Sequence, residues 1–205
     1  SKFSADFWHE IRLDLRRRFG QALQVFPLCG AAGDQSPHFL IYGPQEAEMR
    51  RRRGLTEREE IAARVGDAVE RALLCTHPLP APDIPVAHRC RRLALAPRRI
   101  TRSERDWAET AHQAALQRGD SPDLWWPKML RDVVDRFDRN EPMAAYTAEI
   151  HVLRLGDAVL ATNPFELYID FGLQIKARSP AAQTLVAQLT SGTGLYLPTE
   201  RAVQG

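Results

Sequence analysis

No window of this 205-residue chain holds the roughly 18 successive apolar side chains that a membrane-crossing helix requires. Charge of one sign is equally scarce in net terms. The 28 basic residues face 26 acidic ones and leave only +2, so nothing marks a strongly polycationic protein. There is no internal repeat, no low-complexity tract and no linker of biased composition. No RNP pattern or zinc finger occurs, which argues against the nucleic-acid modules that carry such signatures. Cysteine is sparse as well. Cys29, Cys75 and Cys90 cannot all pair within one chain, and they read as buried thiols of a reducing compartment. The sequence opens on Ser1 without an apolar leader, so a secretory signal is not part of what is shown.

What is present is ordinary for a globular protein: 44% hydrophobic and 26% charged residues, in a chain long enough to bury a sizeable core. One domain over residues 1–205 is expected. Ser4 reads as the N-cap of a helix to about residue 19, with Phe7, Ile11, Leu15 and Phe19 on one face and Gly20 ending it. The apolar run 23–28 reads as a buried strand, and 39–42 as a short extended segment closed by Gly43-Pro44. Thr56-Glu57-Arg58-Glu59 has the form of a capping box and predicts a helix to about residue 74. A proline-rich connector over 77–85 then leads into a strand over 86–95. Helices follow over 103–117 and 124–137, and a hairpin over 146–162 turning on Gly156-Asp157. A helix over 165–177, a strand over 185–189 and a loop over 191–198 complete the chain. Strands alternating with helices predict an α/β domain, a mixed sheet with flanking helices. The first helix has no strand before it, and the chain stops on Val203-Gln204-Gly205. Both ends therefore read as cuts within a larger fold.

Three segments carry candidate chemistry. Gly30-Ala31-Ala32-Gly33-Asp34-Gln35-Ser36-Pro37-His38 places a hydroxyl and a carboxylate in a glycine-rich turn directly after the apolar run. In Asn163-Pro164-Phe165-Glu166, Glu166 falls in the first turn of the expected helix, where a carboxylate suits the dipole. Gly192-Thr193-Gly194-Leu195-Tyr196-Leu197-Pro198-Thr199-Glu200 offers a phenol in a flexible loop after the last strand. All three lie where open α/β sheets bind ligands, beyond the ends of strands. A fourth set, Cys75-Thr-His77 and His88-Arg-Cys90, has metal-ligating side chains, but their one-residue spacing is not that of a structural zinc site.

The chain resembles the neutral (alkaline, non-lysosomal) ceramidases and their shorter bacterial relatives. Gly33-Asp34-Gln35-Ser36-Pro37 is similar to the family's Gly-Asp-x-Ser-Pro-Asn nucleophile segment, and Pro164-Phe165-Glu166 to its Pro-Gly-Glu. Gly194-Leu195-Tyr196-Leu197-Pro198-Thr199-Glu200 is similar to its tyrosine loop, and the order Ser, Glu, Tyr is the same. His38 stands in place of the family's Asn, and Phe165 in place of its Gly. The resemblance implies a zinc-dependent amidohydrolase acting on an N-acyl amide, such as a lipid amide. Glu166 and Tyr196 would be zinc ligands. Ser36 would be nucleophile or hydrogen-bond donor, Asp34 would orient its turn, and Tyr196 would also face the developing oxyanion. Trp125, Trp126 and Phe165 would then line a lipid groove or belong to the core. The family's zinc takes two further histidines upstream of the serine, whereas only His9 precedes Ser36 here. The missing ligands are therefore expected from an upstream segment, and the resemblance implies that residues 1–205 are the C-terminal portion of a longer catalytic domain.

Two other readings remain open. One is a relative of the same fold without catalysis. The other is an arginine-rich module for a polyanion, built on Arg16-Arg17-Arg18, Arg50-Arg51-Arg52-Arg53, Arg89, Arg91-Arg92 and Arg98-Arg99.

Overall fold

A computed structural model describes residues 4–37, 41–76, 83–140 and 144–204. The chain divides into two compact units, one of residues 1–91 with 149–205 and one of residues 92–148. It is an α/β fold with a mixed sheet and flanking helices. Among the described residues, no helix is long and apolar enough to cross a membrane.

In the first unit, α1 (Phe7–Phe19) packs on α3 (Glu57–Leu74). Ile11, Leu15 and Ala62 are buried between them, with Phe7, Trp8, Ile61, Val65 and Val69 around them. The expected capping box is real. Thr56 Oγ1 accepts from the Glu59 amide at 3.3 Å, and Glu59 Oε2 accepts from the Thr56 amide at 2.7 Å. Ser4, expected as the cap of α1, instead accepts from the Asp6 amide just outside that helix. Between α1 and α3 lies α2 (Gly43–Arg53), where a closing turn was expected. It has Pro44 in its first turn and no buried residue.

The apolar run 23–28 is not a strand. Leu23 and Val25 pack against the α1–α3 core, while Phe26 is 88% exposed. No residue of this segment pairs in a ladder. Of the expected strand 39–42, residues 39 and 40 lie outside the described residues, and Ile41 and Tyr42 form a bend leading into α2.

The main sheet has the order β1 (Val86–Leu95), β2 (Tyr146–Leu155), β3 (Ala158–Thr162), β5 (Gln183–Ala187). β2 and β3 form the expected antiparallel hairpin, with Gly156 at φ 60°, a conformation that suits glycine in a two-residue turn. β3 and β5 run parallel, joined through α6 (Ile169–Arg178). A second, two-stranded sheet pairs β4 (Glu166–Leu167) with β6 (Tyr196–Leu197), and α7 (Glu200–Gln204) ends the described chain.

The second unit holds α4 (Arg102–Gln117) and α5 (Trp125–Arg139) with the adjoining ends of β1 and β2. Ala108, Leu130 and Val134 form its buried core, and Arg105 forks onto Asp138 at 3.1 and 2.9 Å. Trp125 (67% exposed) and Trp126 (38%) belong to this unit's surface, Trp126 edge-on to Trp107. The cysteines depart from expectation too: all three are free and exposed, Cys29 in a loop, Cys75 at the C-terminal end of α3 and Cys90 on β1, whose residues are almost all exposed.

Candidate functional site

The glycine turn, β4 and β6 come together in the first unit through backbone bonds. Gly33 donates its amide to Leu167 O at 2.9 Å, so the turn lies directly on β4. A Cβ at Gly33 would stand 2.8 Å from the Glu166 carbonyl carbon and closer still to its oxygen, so only glycine permits this approach. β4 and β6 pair in parallel, with Glu166 opposite Tyr196 and Leu167 opposite Leu197. The Glu166 amide donates to Leu195 O at 2.8 Å, and Gly194 donates to Pro164 O at 2.8 Å. Phe165, 8% exposed, lays its ring over Gly194, where a Cβ would sit 3.0 Å from Cγ. Phe165 is thus the floor of this arrangement rather than an open groove wall.

Glu166 does not open a helix. Its amide is committed to the neighbouring segment, α6 starts three residues later, and the carboxylate is left facing Tyr196. The phenol of Tyr196 titrates above its ordinary value, chiefly because it hydrogen-bonds the Glu166 carboxylate and also because of that carboxylate's charge. Tyr196 remains 57% exposed, so the pair is open to ligands.

Asp34 is anchored differently. Its Oδ1 accepts from the Ile169 amide at 2.8 Å, at the start of α6, whose own N-cap Tyr168 provides no side-chain bond. A carboxylate there satisfies an orphan donor and complements the helix dipole. Asp34 thus ties the turn to the segment that follows Glu166. Ser36 stands exposed two residues further along the same turn.

Two buried amides, neither singled out by sequence reasoning for this work, hold the assembly. Gln188, 6% exposed, accepts from the Leu167 amide at 2.9 Å and the Ala32 amide at 3.3 Å through Oε1, and donates to Cys29 Sγ at 3.2 Å through Nε2. Asn163 accepts from the Phe165 amide at 3.0 Å, while its carbonyl takes the Thr190 amide at 2.9 Å. The signal for Gln188 was a polar residue closing the apolar run Leu185-Val186-Ala187. Beside the turn, a cleft of about 160 Å³ is lined by Gly30, Ala31, Ile169, Leu173, Lys176 and Val186. That is below the roughly 300–1,000 Å³ of a drug-sized pocket, so it suits a small group and not a long acyl chain.

As a metal centre, Glu166 and Tyr196 provide one carboxylate and one phenol on adjacent strands. Three protein ligands and an open position are the norm for catalytic zinc, so the pair fits as part of such a shell. The only group of three or more His, Cys, Asp or Glu donors able to hold a metal among the described residues lies elsewhere, at Cys90, Glu149 and His151. His77, the partner expected for Cys75, is outside the described residues.

Many arginines of the charged runs are engaged within the chain. Arg51 and Arg52 share Glu48 at 2.7 and 2.8 Å, Arg53 meets buried Glu60 at 2.7 Å, and Arg98 pairs with Glu104. Arg18 reaches Asp14, Asp67 and Glu70 at 2.7–2.9 Å. No protein-family model, curated protein or solved structure matches the chain.

Proposed function

We propose that the turn at residues 30–37 and the β4–β6 pair form part of the active site of a zinc-dependent amidohydrolase, similar to the neutral ceramidases, that cleaves an N-acyl amide with water to a carboxylic acid and an amine. The observation that carries this reading is the meeting of Tyr196 with Glu166 across β4–β6, with the serine-bearing turn seated on the same strand. In it Glu166 and Tyr196 are two zinc ligands, and the upstream segment that the resemblance implies supplies the others. Zinc, when bound, supplies Lewis acidity toward a scissile carbonyl and acidifies water. The chain's own contribution is positional: Asp34 and Gly33 fix the turn, and the turn presents the Ser36 hydroxyl as nucleophile or hydrogen-bond donor.

Zinc-edge anomalous scattering from crystals of the protein is the direct test. A peak between Glu166 and Tyr196 is expected. Its absence from zinc-soaked crystals, with the phenol still on the carboxylate, overturns the reading. Where a fluorogenic N-acyl amide is turned over, Ser36→Ala and Tyr196→Phe should each lower kcat by roughly 10²-fold or more. A relative of this fold without catalysis would turn over nothing, with or without zinc. The polyanion-binding reading has less support, since the acids named above already occupy many of the arginines in the runs.

A further inference from the structure

We infer that the face of β1 and β2 carrying His88, Cys90, Glu149 and His151 is a second, independent zinc-binding site, separate from Glu166 and Tyr196. Alternation along a strand puts residues i and i+2 on one face, so His88 and Cys90 share a face of β1, and Glu149 and His151 share one of β2. Pairing of these strands brings the two sets together. One donor atom from each of Cys90, Glu149 and His151 lies within 4.8 Å of the other two. His151 Nε2 is 3.0 Å from Glu149 Oε1, and His151 Nδ1 is 2.9 Å from His88 Nε2, with the two rings stacked at 5.2 Å.

Tetrahedral zinc with nitrogen and oxygen ligands at about 2.05 Å needs an N···O separation of roughly 3.3 Å. The existing 3.0 Å is close to that before any side chain moves. A thiolate, a carboxylate and a neutral imidazole carry two negative charges and neutralise a divalent ion. The thiolate and imidazole favour zinc over magnesium or calcium. Whichever nitrogen of His151 takes the ion, the other keeps a neighbour to hold the ring: His88 at Nδ1 or Glu149 at Nε2. His88 then either completes the shell or orients His151. Glu149 and His151 are half-buried while Cys90 is exposed, so an ion can enter from solvent.

Cobalt(II) is the probe, because a thiolate ligand gives a near-ultraviolet sulfur-to-cobalt charge-transfer band that a carboxylate–phenol site cannot give. The reduced, metal-free protein should develop this band to one equivalent and lose it on adding zinc. Cys90→Ser should abolish it, His88→Ala should weaken cobalt affinity by roughly 10–100-fold, and Glu149→Gln by at least as much. Cys29→Ser, Cys75→Ser and Glu166→Gln should leave it unchanged, the last separating this site from the one proposed for catalysis. No band in the wild-type protein overturns the inference whatever the variants do. A band that survives Cys90→Ser overturns it equally.

Discussion

Replacing Gln188 by leucine keeps the side-chain volume nearly constant, so its main effect is to remove the acceptor for two backbone amides and the donor to Cys29 Sγ. The Leu167 amide is buried and bonded at 2.9 Å, and leaving it unpaired costs about 1–3 kcal/mol. The Ala32 amide is only partly buried and bonded at 3.3 Å, so its loss adds about 1 kcal/mol at most. A total near 3 kcal/mol corresponds to a drop in Tm of about 6–12 °C for a chain of this size. The more specific readout is hydrogen exchange followed by mass spectrometry. Opening of peptides spanning residues 29–36 and 163–168 should become easier by about 2 kcal/mol, roughly a 30-fold faster exchange. Peptides from α4 and α5 serve as the internal reference. Gln188→Glu retains an acceptor for both amides and should recover most of the protection. Unchanged exchange at both segments in Gln188→Leu would refute the claim that this side chain clamps the turn onto β4.

Three further expectations can be checked with the same protein. Gly33→Ala forces the turn off β4, because its Cβ would meet the backbone of Glu166 at 2.8 Å where ordinary contact begins near 3.4 Å. On the proposed amidohydrolase activity, a displacement of about 1 Å should lower hydrolysis of an N-acyl amide by roughly 10²-fold, measured as kcat/KM. Gly194→Ala should displace the Phe165 ring and lower stability to urea by about 1–3 kcal/mol, an overpacking cost that Phe165→Leu in the same chain would relieve. Glu59 and Glu104 sit below the ordinary carboxylate range, first because each accepts the backbone amide of its capping threonine. A lowered folded value means that this stabilisation is complete above the unfolded value near 4.3 and is lost as pH falls through the folded one. Acid unfolding profiles should therefore flatten in a Glu59→Gln, Glu104→Gln double variant, and an unaltered profile would contradict the assignment.

What could be read from the sequence was the structure encoded by near neighbours. The Thr56–Glu59 box, the Gly156 hairpin and the strand Val86–Leu95 all form where their residues say they should. The helix α2 escaped because it has no apolar stripe to reveal a period; Glu48 with Arg51 and Arg52 supplies local ion pairs instead. The run 23–28 departs from the expected strand because a hydrophobic stretch does not tell a paired strand from an irregular segment packed on helices. α6 starts later than the expected residue 165 for a non-local reason: the Glu166 amide bonds Leu195 O, a contact no local pattern contains. At the candidate site, the order and identity of Ser36, Glu166 and Tyr196 were legible. The register that sets Glu166 opposite Tyr196 was not, nor was the use of Asp34 as a cap for a helix far along the chain.

The two metal sites proposed for the first unit differ in how they are built, and the difference has consequences. His88, Cys90, Glu149 and His151 sit on long strands of the main sheet, where the ladder fixes the side chains and His151 is further tied by its amide to Thr162 Oγ1 at 3.0 Å. Glu166 and Tyr196 sit on two-residue strands, which a ladder alone does not hold; their positions depend on Gln188, Asn163, Gly33 and Asp34. A perturbation of a buttress should therefore be felt at one place and not at the other. Gln188→Leu should disturb zinc binding at Glu166 and Tyr196 while leaving the cobalt–thiolate band of Cys90 intact. Loss of both together would mean that the unit responds as one body, with the small sheet no less rigid than the large one.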